Sequence, residues 1–182
     1  MTLRVPGIHH VTAIAGAPQQ NVDFYADVLG LRTVKQTVNF DDPGTYHLYY
    51  GDRAGTPGST MTFFPWEDAP RGSSGSGATE ATGFSVPPES LEFWTDRLTS
   101  AGASPQEVTA RFDEESLRFE DPDGLTLELV AGPATRETPA GPPVHPGIAA
   151  EYAVHAFHGV LLDLADPDPT ARLLTDVMGF EQ

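Results

Sequence analysis

The residues best suited to chemistry lie near the N-terminus, in Gly7-Ile8-His9-His10-Val11-Thr12-Ala13-Ile14. Two histidines and a threonine interrupt an apolar run that reads as a β-strand. Imidazole titrates close to neutral pH and is the commonest metal ligand among side chains. Side chains alternate between the two faces of a strand. The alternation puts His10 and Thr12 on one face and sends His9 to the other. Polar groups at every second position, with Ile8, Val11 and Ile14 around them, describe a strand lining a polar cleft. The plainer reading is a strand edge with two solvated histidines. A further histidine, His47, stands in Tyr46-His47-Leu48-Tyr49-Tyr50. Aromatic packing is its default role, and a place in a substrate pocket is the alternative.

These residues need elements to hold them. After Gly16-Ala17, Pro18 suits the first turn of a helix. Val22, Tyr25, Val28 and Leu29 then recur at helical spacing, with Phe24 on the same side, and Gly30 closes the helix. Residues 31–40, 46–50 and 59–64 read as strands, with a turn at Asp41-Asp42-Pro43-Gly44. The order is β-α-β-β-β. A flexible run, Gly72 to Gly77, lacks the strand-then-helix setting of a phosphate loop and reads as a linker. A second unit follows. It has a strand at 82–86, a helix after Pro87-Pro88 carrying Leu91, Trp94 and Leu98, and strands near 106–110, 116–120 and 125–130. Asp121-Pro122-Asp123-Gly124 is a tight turn before the last strand.

The order repeats a third time. A shift of 149 residues lays Gly30 on Gly179, His9 on His158, Val11 on Val160, Pro18 on Pro167 and Val28 on Val177. Repeats of this kind decide an architecture before any single motif does. The expected fold is α+β, tandem βαβββ units, about two and a half of them. Units at 7–66 and 81–131 form a first domain over 7–132, residues 133–152 form a linker, and 153–182 begin a second domain. The third unit's remaining strands do not follow, so the chain reads as the front part of a longer protein.

Composition narrows the function. There is no cysteine among the 182 residues. A disulfide scaffold, a thiolate metal site and a cysteine nucleophile are therefore excluded. The net charge is −16, from 26 acidic and 10 basic residues, and Lys35 is the one lysine. Such a surface repels nucleic acid and anionic membranes. No run approaches the roughly 18 apolar residues of a membrane span, and no signal peptide is seen. A cytoplasmic protein, with a homo-oligomer as an open option, is the expectation.

The ordered segments Gly7 to Ile14, Val28-Leu29-Gly30-Leu31, Lys35 to Pro43, Tyr46 to Asp52, Pro57-Gly58 and Thr62-Phe63-Phe64 resemble one family. It is the hydroquinone-type ring-cleaving dioxygenases of the vicinal oxygen chelate superfamily, which also holds glyoxalases and bleomycin-resistance proteins. The resemblance implies opening of a hydroquinone- or catechol-like aromatic by O2 at Fe(II), with Mn(II) as the other option. Two histidines and one carboxylate would hold the metal and leave positions open for substrate and dioxygen. By position in the motif, His10 is the metal ligand from this chain. His9 and Thr12 match catalytic groups beside the metal, and His47 is a candidate substrate contact. The second histidine and the glutamate are expected from a fourth unit.

Other residues are weighed and set aside. Glu128 occupies the strand where glyoxalase-like units carry a metal carboxylate, but its expected place is the solvent face. His158 aligns with His9 rather than His10 and is not nominated. His145 and His155 are expected in solvent, and Asp41-Asp42 in a turn. Two other functions stay open: a bleomycin-resistance-like module that binds a ligand without metal, and a glyoxalase-like metal-dependent lyase or isomerase.

Overall fold

The computed structural model describes residues 5, 7–73, 75–132 and 141–181. The first unit runs β1 (His10–Ala15), α1 (Pro18–Val22), β2 (Arg32–Val38), β3 (Tyr46–Gly51) and β4 (Thr60–Pro65). The second runs β5 (Ala78–Val86), α2 (Leu91–Ser100), β6 (Thr109–Arg111), β7 (Glu114–Glu120) and β8 (Thr126–Ala131). The third contributes β9 (Phe157–Asp163) and α3 (Asp168–Arg172). The first sheet has the order β1-β4-β3-β2 and the second has β6-β7-β8-β5-β9. Each full unit thus pairs its first strand in parallel with its last, β1 with β4 and β5 with β8. The α+β architecture of tandem βαβββ units is the one expected from the repeat.

The helix of the first unit is not α-helical throughout. Beyond α1 the chain continues as a π-helix, Asp23–Val28. The Leu29 N–H reaches the Phe24 carbonyl, and the Leu31 N–H reaches the Tyr25 carbonyl. The third unit repeats this to the residue. Leu173–Val177 is π-helical, with Met178 bonded to Leu173 and Phe180 to Leu174. Spacing of apolar residues does not distinguish these wider turns from α-helix, because both put the same side of the helix on the sheet. Two strand limits also move. β5 starts at Ala78, and β6 covers Thr109–Arg111 instead of 106–110.

One side of each sheet builds a single core. Ala15, Leu48, Tyr50, Met61 and Phe63 come from the first sheet, Phe84, Val86, Leu117, Phe119, Leu127 and Leu129 from the second, and Phe24, Tyr25, Leu29, Trp94 and Leu98 from the helical segments. Burial of this much apolar surface is the main stabilising term. Of the expected linker 133–152, residues 133–140 lie outside the described residues. Within the remainder, Ile148 packs into the core cluster and Tyr152 lies against it.

Each of the two full units anchors the turn before its last strand with a buried aspartate. Asp52 Oδ1 accepts the N–H groups of Ala54 and Thr56, both at 2.9 Å. Asp121 Oδ1 accepts those of Asp123 at 2.9 Å and Leu125 at 2.8 Å. β9 lies antiparallel against the outer edge of β5, with Thr82 opposite Val160 and Gly83 opposite Gly159. No strand occupies the corresponding edge of β1 among the described residues.

Candidate functional site

The side of the first sheet turned away from the core carries the polar residues. Parallel register sets His10 beside Thr60, Thr12 beside Thr62 and Ile14 beside Phe64. Antiparallel register sets Thr62 beside Tyr49, and Tyr49 beside Lys35. Thr12, Thr62, Tyr49 and Lys35 therefore form one row across four strands. Thr12 and Thr62 share a hydrogen bond of 2.8 Å between their hydroxyls. His10 and Thr12 are exposed, while Thr62 is buried beneath them. The alternation expected for His10 and Thr12 is the one seen.

His9 departs from expectation. It precedes β1, so strand alternation does not reach it. Its carbonyl accepts the Gly58 N–H at 2.7 Å, and its ring turns to the same side as His10. The two rings meet edge to face with centroids 5.2 Å apart, and Nδ1 lies 3.1 Å from Nδ1. One of the two nitrogens must carry a proton for that contact to be attractive. That contact engages Nδ1 of His10 and leaves its Nε2 clear of His9.

His47 sits between two aromatic rings. Its centroid is 4.1 Å from that of Tyr49 and 4.1 Å from that of Phe64, and Phe64 stacks on Trp66 at 6.2 Å. Nδ1 is 2.8 Å from the Tyr49 hydroxyl. Nε2 is buried with no hydrogen-bond partner. Burial pushes the His47 pKa below its usual value, and the nearby charges of Lys35 and His10 add to this. Burial pushes the Tyr49 hydroxyl up, so it stays protonated at neutral pH. Lys35 Nζ lies 5.4 Å from the Tyr49 ring centre. Tyr49 and Lys35 were not singled out from sequence. Counting two from His47 along β3, and then across to β2, would have found them.

Glu128 is a correction. It is 5 % exposed rather than solvent-facing. Register places it opposite Arg118, whose Nε and Nη2 donate to Oε1 at 3.0 and 2.6 Å, and Arg111 Nη2 lies 3.4 Å from Oε2. A buried carboxylate needs such compensation. Glu128 stands opposite Gly83 as Thr62 stands opposite Thr12, so it holds the matching place in its unit. Arginine occupies its oxygens there. His158 pairs with Glu114 at 2.9 Å on the second sheet, away from His10. His155 and His145 are half-buried rather than solvated, because the segment around them packs against the core. Asp41 and Asp42 do lie at a turn, where the Asp42 carboxylate accepts from Thr45.

Among the described residues no group of three or more His, Cys, Asp or Glu side chains is placed to hold a metal ion. The structure brings His9, His10, Thr12, His47 and Tyr49 to one open sheet face, and among the described residues no carboxylate joins them in a metal-holding group.

A βαβββ unit repeated in tandem, with its polar residues on the open side of the sheet, is the architecture of a recognisable class of proteins. The chain belongs to the Glyoxalase/Bleomycin resistance protein/Dioxygenase superfamily, whose family model matches residues 7–129. It is 46% identical over 182 residues to a protein of Bacillus subtilis (strain 168) named "Putative ring-cleaving dioxygenase MhqO", covering 100% of this chain and 57% of that one. It is 34% identical over 158 residues to the chlorohydroquinone/hydroquinone 1,2-dioxygenase of Sphingobium indicum, covering 85% of this chain and 49% of that one. A crystal structure described as a "putative dioxygenase" from Bacillus subtilis superposes with a TM-score of 0.91 at 46% identity, over 99% of this chain and 57% of that one. The chain thus spans about half the length of the curated relatives it matches.

Proposed function

We propose that this chain carries part of the active site of a ring-cleaving dioxygenase that opens a hydroquinone- or catechol-like aromatic with O2. The observation that supports the reading best is the open sheet face itself. It presents an imidazole and a hydroxyl, His10 and Thr12, beside an aromatic wall of His47, Phe64 and Trp66. That combination suits a flat ring bearing oxygen substituents.

His10 offers Nε2 as one ligand for Fe(II) or Mn(II), and His9 holds that ring in place. The donor set is incomplete among the described residues, since the second histidine and the carboxylate expected for such a centre are not there. A bound redox metal would supply the means for triplet dioxygen to react with a closed-shell ring. This chain's own residues orient the substrate. Thr12, fixed by Thr62, offers a hydroxyl to a substrate oxygen, and His47 walls the ring. A fourth βαβββ unit is proposed as the source of the missing ligands. A cytoplasmic setting belongs to the same proposal, and no helix among the described residues is long and apolar enough to cross a membrane.

The test is anaerobic Fe(II) loading, desalting, and then iron content and O2 uptake with hydroquinone. The expected result is little retained iron in the 182-residue chain, and near-stoichiometric iron with hydroquinone-dependent O2 uptake in a chain that also carries a fourth unit. No O2 uptake from either chain overturns the reading. The incomplete donor set favours a second reading, a ligand-binding module without metal. Aromatic binding with neither iron nor O2 uptake in both chains would establish it. Iron retention without O2 chemistry would point instead to a glyoxalase-like lyase.

A further inference from the structure

The row Thr12, Thr62, Tyr49 and Lys35 crosses the whole first sheet, and its far half has no part in the reading above. We propose that Tyr49, clamped by His47, is the specificity residue that meets the second hydroxyl of a dihydroxylated ring lying across the β1–β4–β3 face. The inference rests on the reading of that face as an aromatic substrate site.

Three features carry it. The first is spacing. β1 and β3 flank β4, so Tyr49 stands two strand spacings from β1, roughly 10 Å at about 4.8 Å per spacing. A ring with one oxygen at the His10–Thr12 end directs a para oxygen toward β3. The second is hydrogen-bond capacity. Leu48 and Tyr50, on either side of Tyr49, are buried in the core, so Tyr49 is the hydroxyl that this part of β3 turns to the open face. Its bond to His47 Nδ1 uses one of its valences. If Tyr49 donates to His47, its oxygen can still accept from the substrate. If His47 donates, the Tyr49 proton is free to give. The third is rigidity. His47 is held between Tyr49 and Phe64, so the clamp is fixed by packing before any ligand arrives. Lys35 near the Tyr49 ring adds a positive charge that favours an oxygen-rich ring edge.

The experiment is equilibrium binding of hydroquinone and of phenol to the 182-residue chain, followed by quenching of Trp66. That residue stacks on Phe64 at the face, whereas Trp94 is fully buried. The wild-type chain is expected to prefer hydroquinone about tenfold, one hydrogen bond's worth of discrimination. Tyr49→Phe should bring the ratio close to one and leave phenol binding within about twofold. His47→Asn should fall between. A Tyr49→Phe chain that keeps the wild-type preference overturns the proposal. So does equal weakening for both ligands, which is what a merely structural role would give, or a wild-type chain that binds neither. O2 uptake is read separately. Its absence in a chain that also carries a fourth unit, with the binding ratio behaving as expected, would remove the dioxygenase reading and leave the role of Tyr49 standing.

Discussion

The hydroxyl of Tyr25, on the helix of the first unit, donates to Asp121 Oδ2, in the turn of the second unit, at 2.9 Å, and both side chains are buried. This bond ties the two units together. Burial raises the Tyr25 pKa well above its usual value, and Asp121 adds to the effect. Asp121 is itself pushed up by burial, although its three hydrogen bonds pull the other way. A second tie runs in the opposite direction. Arg97 of α2 donates to the carbonyls of Val28 at 2.7 Å and Asp27 at 2.6 Å, at the end of the first unit's helix.

Removing the Tyr25 hydroxyl leaves one oxygen of a buried carboxylate without its partner. Tyr25→Phe should destabilise the fold by about 1–3 kcal/mol. The loss would appear as a lower urea midpoint with an unchanged slope. No change in the midpoint would mean that the bond contributes nothing to unit docking.

Arg118→Ala would strip Glu128 of its two shortest contacts while leaving the carboxylate buried. The expected loss is about 2–3 kcal/mol, below the range for a fully buried pair because Arg118 is about a quarter exposed. Arg118→Met combined with Glu128→Leu should cost less than Arg118→Ala alone, since no charge is then left behind. Chemical denaturation of the three chains decides it.

Thr12→Val keeps the shape of the strand and deletes one hydroxyl. Thr62, buried, loses its partner, at a cost of roughly 1 kcal/mol. If Thr12 also meets a substrate oxygen, hydroquinone binding should weaken several-fold while the far-UV spectrum stays unchanged. Unaltered binding would reduce Thr12 to a strand residue.

His10→Ala and His9→Ala separate ligand from support. In a chain with a complete donor set, His10→Ala should abolish iron retention. His9→Ala should keep the iron and slow turnover. Full occupancy in the His10 variant would remove the assignment.

His155 gives a pH prediction. Burial lowers its pKa from the usual 6.5. A base with a depressed folded pKa binds fewer protons when folded than when unfolded. Its contribution is therefore full above about pH 6.5 and is lost as the pH falls through the lower folded value. The wild-type chain should lose stability faster than His155→Gln on acidification through that window. Parallel stability curves for the two chains would contradict this, and the His155 imidazole resonances should titrate below the usual midpoint.

Much of this architecture was legible in the residues alone. The period of the apolar positions, the proline before each helix, the glycine after it and the 149-residue repeat are local patterns, and local backbone preferences set them. They were enough for tandem βαβββ units, for the shared face of His10 and Thr12, and for the turns at Asp41 and Asp121. The relationships that decide chemistry were not local. His9 joins His10 because it lies one residue before the strand, where the alternation has no hold. Glu128 is buried because register sets it opposite Arg118. Tyr49 reaches His47 and faces Thr62 because β3 lies beside β4, and β9 adds to β5 rather than to a sheet of its own. Strand neighbours far apart in sequence meet only when the sheet closes, so the sequence determined the units and the tertiary structure chose their partners.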